Sequence, residues 1–184
     1  MKLVTFESRG DHAGGRRLGA ITEDGAIVDL LAAATASGRT DAPGLTSMLA
    51  LIDGAGAALD AARAAFEAAT AGGIAEAVHD RASVRLFAPL PNPRRLRDCG
   101  CFLQHFRNSR AVRFRRLAAR EADPEAAMER FRANGDLDIP TAWNEVPVML
   151  NSNHLSVIGD DADIVWPAGV RRFDYELEFA MVTG

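Results

Sequence analysis

FDYELEFAMVTG, from Phe173 to Gly184, alternates acids with large apolar residues and then turns wholly apolar. Successive side chains of an extended strand point to opposite faces. Asp174, Glu176 and Glu178 therefore share one face, while Phe173, Tyr175, Leu177 and Phe179 share the other. Beyond Glu178 the run Ala180-Met181-Val182 reads as a strand entering a core. Carboxylates crowded at the mouth of a core repel one another unless a cation neutralises them. Two readings stand: the solvated face of an amphipathic edge strand, or one wall of a hard-metal site.

The rest of the chain sets the frame. Its 184 residues suffice for one good-sized domain or two small ones. Hydrophobic residues at 48% and charged residues at 25% are ordinary globular values. A net charge of -4 argues against a general nucleic-acid binder, whose footprint is a basic excess. No apolar run approaches the roughly 20 residues that span a bilayer, and the opening MKLVTFESRG lacks a signal peptide's apolar core. Cys99 and Cys101, separated by one glycine, make no disulfide framework. The expected compartment is the cytoplasm, with neither membrane nor nucleic acid as partner. Lys2 is the sole lysine and belongs to the first strand, so Schiff-base chemistry has no plausible nucleophile.

KLVTF and RLGAITEDGAIVDL read as three short strands, the last two joined by a turn at Asp24-Gly25. AALDAARAAFEAATAGG is a helix with Leu59, Ala62, Phe66 and Ala69 on one face and Gly72-Gly73 as its stop. These elements predict a small β-rich domain with helices over residues 1–85. Pro89, Pro91 and Pro93 then make an extended connector, the expected domain boundary. The Arg-rich segment through Arg120 reads as mostly helical. ADPEAAMERFRANG is a second helix, with Asp123 as cap, Pro124 at the first position and Asn134-Gly135 as the end. From Ile139 to Gly169, apolar runs broken by Asn, Gly and Pro suggest strands and turns.

Chemistry could sit in three places. The acidic strand is the first. The second is RDCGCFLQHFRNSRA, which puts Asp98 seven residues before His105. A carboxylate and an imidazole at one loop mouth can act as metal ligand and general base; the plain alternative is a capping Asp and a structural His. The third is the set Arg107, Arg110, Arg113, Arg115, Arg116 and Arg120. Such a run is usually a solvated helix face, although a subset could clamp a substrate carboxylate in bidentate fashion. Cys99 and Cys101 could be half of a soft-metal site, without a second pair to complete it. His12, His79 and His154 have no motif around them.

Taken together, these segments resemble the fumarylacetoacetate hydrolase family. FDYELEFAMVTG is similar to its acidic strand, D-x-E-x-E followed by small apolar residues and Gly. RDCGCFLQHFRNSRA resembles the R-D-F-x-A-F-x-Q-H segment of the fumarylacetoacetase-like branch, and IPTAWNEVPVMLNSNHLSVIG resembles its P-x-x-W-x-E-x-P-V segment. The resemblance covers about residues 86–184. It implies an α+β, β-rich fold: a small N-terminal β-domain with helices over 1–85, then over 86–184 the first part of a mixed β-sandwich or roll.

By the same resemblance, Asp98, Glu176 and Glu178 would bind Mg²⁺ or Ca²⁺, and His105 would be the base that activates water. Arg110 and Arg113 are the candidates for holding substrate. The implied reaction hydrolyses a carbon–carbon bond in a β-diketo acid, as in aromatic compound catabolism, by an enzyme that is a homodimer when full length. The family's fourth carboxylate and its pocket lysine would follow Gly184, so residues 1–184 alone are expected to bind cations poorly and not to turn over. A family aromatic is Gly100 here, a substrate-contacting tyrosine is Leu150, and no glutamate is apparent to orient His105. The rival expectations are a keto-acid decarboxylase, hydratase or isomerase of the same family, and a truncated relative that binds a ligand without turnover.

Overall fold

A computed structural model describes residues 1–10 and 14–183; His12 lies outside them. The chain divides into two compact units, one of residues 1–93 with 155–184 and one of residues 94–154. The fold is mixed α+β, built on an antiparallel sheet.

In the first unit β1 (Lys2–Ser8), β2 (Arg17–Ile21) and β3 (Ile27–Asp29) follow the three short apolar runs. Thr22 and Ala26 close the β2–β3 turn through a 2.9 Å backbone bond. Gly25 takes φ +90° there, a value that glycine adopts without the Cβ penalty. β4 (Val78–His79) and β5 (Val84–Phe87) complete the order β4-β3-β2-β1-β5, every pairing antiparallel. β1 is an interior strand: Phe6 lies opposite Arg17 on one side and Leu86 on the other.

Alternation splits the sheet into two apolar faces. Leu18, Ala20 and Val28 pack with the helices, while Val4, Phe6, Ile27 and Val84 form a second cluster. Gly19 has a packing reason to be glycine, since a Cβ there would come within 2.9 Å of the Phe6 ring.

The helices are α1 (Leu30–Ala36), α2 (Met48–Asp53) and α3 (Ala55–Ala68). Asp29 starts α1 by accepting from the Ala32 amide, and its other oxygen pairs with Arg17 at 3.0 Å. The buried face of α3 and the turn after it is Ala58, Ala62, Ala65 and Ala69, whereas Leu59 and Phe66 are only half-buried. The buried stripe is thus rotated from the face set by the largest side chains. Close approach explains it: Cβ atoms added at Gly44 and Gly54 would stand 2.6 and 2.5 Å from the Ala58 Cβ. The helix ends where Gly72 takes φ +88°.

The second unit pairs β6 (Leu96–Cys99) with β7 (Met149–Ser152), antiparallel, and carries α4 (Leu103–Ala118), α5 (Pro124–Ala133) and the short α6 (Ala142–Glu145). Asp123 caps α5 by accepting from the Glu125 and Ala126 amides; Pro124 takes the first position and Gly135, at φ +75°, follows the end. α4 and α5 meet through Phe114 and Phe131, ring centroids 5.1 Å apart.

The expected acidic strand is a correction. Residues 172–183 form no strand, and Leu177, Phe179 and Met181 are 96, 99 and 92% exposed. Strands are held by a neighbour's ladder of amides and carbonyls, and alternation supplies the side chains but not that neighbour.

Candidate metal and base site

Asp98 sits in β6 and is half-buried. Register places it directly opposite Leu150 of β7. Directly opposed residues in an antiparallel pair project to the same face, so the carboxylate shares its side of the ribbon with an alkyl side chain that is 65% exposed. After Asp98 the ladder is extended by the Gly100 amide, which donates to the Val148 carbonyl at 3.0 Å. A Cβ at Gly100 would stand 3.3 Å from the Trp143 ring, which itself lies 4.5 Å from Phe106 by centroid. Trp143 thus occupies the space that a side chain at Gly100 would need.

His105 is the third residue of α4 and is exposed. One turn further on, the Ser109 hydroxyl lies 3.4 Å from its Nε2. This is longer than the usual hydroxyl hydrogen bond of about 2.7–2.8 Å, but it is the contact in place to orient the ring. The sequence carries this contact as a four-residue step, the spacing that brings helical side chains together.

Glu176 and Glu178 lie in the exposed segment 172–183 of the first unit, with Asp174 two residues earlier accepting from the Tyr175 amide at 2.9 Å. The expected ligand set therefore draws Asp98 from the second unit and both glutamates from the first. Within either unit, among the described residues, no group of three His, Cys, Asp or Glu side chains gathers to hold a metal. As a donor set the three carboxylates suit a hard cation, since Mg²⁺ and Ca²⁺ take oxygen ligands.

Arg110 is committed inside the second unit. Its Nη2 donates to the Asp136 carbonyl just beyond α5, and its guanidinium lies over the Phe114 ring at 5.7 Å. Arg113 is exposed, with its guanidinium 6.0 Å from the same ring. No helix among the described residues is long and apolar enough to cross a membrane.

Residues 115–184 match the family profile described as Fumarylacetoacetate (FAA) hydrolase C-terminal. The match supports the fumarylacetoacetate hydrolase family broadly. It takes in Glu176 and Glu178 and begins after Asp98, His105, Arg110 and Arg113. No curated protein matches the chain. That family is one of hydrolase- and decarboxylase-type enzymes.

Proposed function

We propose that this protein is a metal-dependent hydrolase that cleaves a carbon–carbon bond in a β-diketo acid of the fumarylacetoacetate type. Residues 1–85 act as the N-terminal domain and 86–184 belong to the catalytic domain. The observation that carries the reading is the acidic row Asp174, Glu176 and Glu178 lying inside the family-matched residues 115–184. Asp98, Glu176 and Glu178 would hold Mg²⁺ or Ca²⁺. A bound cation supplies Lewis acidity toward the diketo oxygens and the enolate that leaves.

The chain's own groups do the rest. His105 takes a proton from water on one ring nitrogen while Ser109 holds the ring at Nε2. Leu150 beside Asp98 offers apolar contact at the position of the family's tyrosine, which favours a less polar substrate tail. Arg113, exposed and without the carbonyl contact that engages Arg110, is the better placed of the two to meet a carboxylate. The active protein would work as a homodimer in the cytoplasm.

The test is cleavage of a β-diketo acid by the full-length protein, with and without a chelator. Metal-dependent cleavage is expected. His105→Ala should lower kcat at least about a hundredfold and leave Mg²⁺ affinity unchanged, whereas Glu178→Gln should weaken Mg²⁺ binding. Cleavage indifferent to the chelator, or full activity in His105→Ala, overturns the reading. Release of CO₂ in place of a carboxylic acid would assign the family's decarboxylase chemistry instead.

A further inference from the structure

The link between β6 and α4 reads Cys99-Gly100-Cys101, and both thiols are free and exposed. The Cys101 amide donates to the Cys99 carbonyl at 2.8 Å. A bond from residue i+2 back to residue i closes a γ-turn, which folds the ends of three residues toward each other. In a fully extended chain the two Cα atoms would stand roughly 7 Å apart, beyond the span of about 4.4–6.8 Å that a disulfide bridges. The turn shortens that span into the bridging range.

The same turn is fastened on its outer side. Gly100 donates to Val148 across the ladder, and Trp143 lies against the position where a Cβ would be. The pair is therefore held in its bend by groups other than the sulfurs. These two are the chain's only cysteines, so each is the other's sole intrachain partner.

We propose that Cys99 and Cys101 form a reversible dithiol–disulfide site that is oxidised by hydroperoxides. One thiolate attacks the O–O bond of hydrogen peroxide, giving a sulfenic acid and hydroxide, which takes up the proton that the thiol gave up. The second sulfur attacks the first, the S–O bond breaks, and the oxygen leaves as water with the second thiol's proton. Two thiols and one peroxide become one disulfide and two waters, with two electrons passing from sulfur to the peroxide oxygens. A small dithiol reverses the reaction through a mixed disulfide. The site lies between Asp98 and the first turn of α4, so closing it fixes the bend in the link from the strand that carries Asp98 toward the helix that carries His105. The proposal does not depend on either residue's catalytic role.

The experiment treats the chain with hydrogen peroxide and follows intact mass, free-thiol count and mobility on a non-reducing gel. Loss of two hydrogens, joint loss of both thiols, retention of the single-chain mobility and full recovery with dithiothreitol are expected. Cys99→Ser and Cys101→Ser, each exposed and so tolerant of the change, should instead gain oxygen or form covalent dimers. Oxygen addition or covalent dimers in the wild-type chain would overturn the site, as would two thiols that survive the peroxide.

Discussion

β1 and residues 173–182 share a pattern and meet opposite fates. In β1 the alternation of KLVTFES is enclosed by β2 on one side and β5 on the other, leaving Val4 8% and Phe6 0% exposed. In FDYELEFAMV the alternation is at least as regular, yet Leu177 is 96% and Phe179 99% exposed. A period of two determines which side chains share a face; burial comes from the elements on either side. Fully burying a phenylalanine is worth about 1.5–3 kcal/mol, and Phe6 collects this where Phe179 does not.

The sharpest way to break the comparison is a pair of matched truncations. Phe6→Ala removes a buried ring beside Val4, Ile27 and Val84 and should cost about 3–5 kcal/mol in urea unfolding. Phe179→Ala should stay within about 0.5 kcal/mol. Equal losses at the two positions would mean that the terminal segment is packed after all. Gly159→Ala probes the approach to the sheet, because a Cβ there would stand 2.7 Å from the Phe87 Cα. Backbone cannot yield as a side chain can, so a loss of about 1–3 kcal/mol is expected from overpacking; a neutral substitution would show that residues around 159 are no more tied down than 173–182.

Smaller effects test the local signals. Asp123→Ala removes the oxygen that accepts from two amides at the start of α5 and should cost about 1 kcal/mol, read as a lower thermal midpoint for the second unit. The smallest is a pH effect at the β2–β3 turn. Accepting from the Thr22 hydroxyl, and next from the Ala26 amide, holds the Asp24 carboxyl below its ordinary value. A lowered folded value stabilises above the ordinary carboxylate range and is lost as pH falls through the lowered value. The turn's contribution should therefore begin to fade as pH falls through the ordinary carboxylate range and be lost below the lowered value, and Asp24→Asn should remove this dependence from a titration of turn amide shifts.

Legibility in the sequence followed the distance over which each feature is decided. α5 could be read because its cap, its proline and its terminal glycine lie within thirteen residues, Asp123 to Gly135. The β2–β3 turn was equally local. α3 is legible as a helix, but the largest side chains do not mark its buried face, since its packing is set by glycines 44 and 54 and by Ala58. The terminal strand failed because pairing is a property of two segments. The site divides in the same way. The two-residue step from Glu176 to Glu178 is local, whereas Asp98 lies 78 residues before Glu176, a separation that alternation does not encode. Leu150 beside Asp98 is a matter of register, visible only once β6 and β7 are paired.

The bareness of residues 172–183 has a consequence for handling the protein. A protease takes its substrate as an extended strand, and this exposed segment, held in no sheet or helix, presents an aromatic or aliphatic side chain at every second position from Phe173 to Met181. Chymotrypsin at low dose should cut after Tyr175, Leu177 or Phe179 well before it touches β1, whose Phe6 is sealed between two neighbours. Each such cut would separate Asp174 from residues downstream of it while leaving the five-stranded sheet whole. A cut after Tyr175 removes Glu176 and Glu178, and one after Leu177 removes Glu178, while the preparation would still look folded by circular dichroism, so intact mass is the proper check before any metal titration.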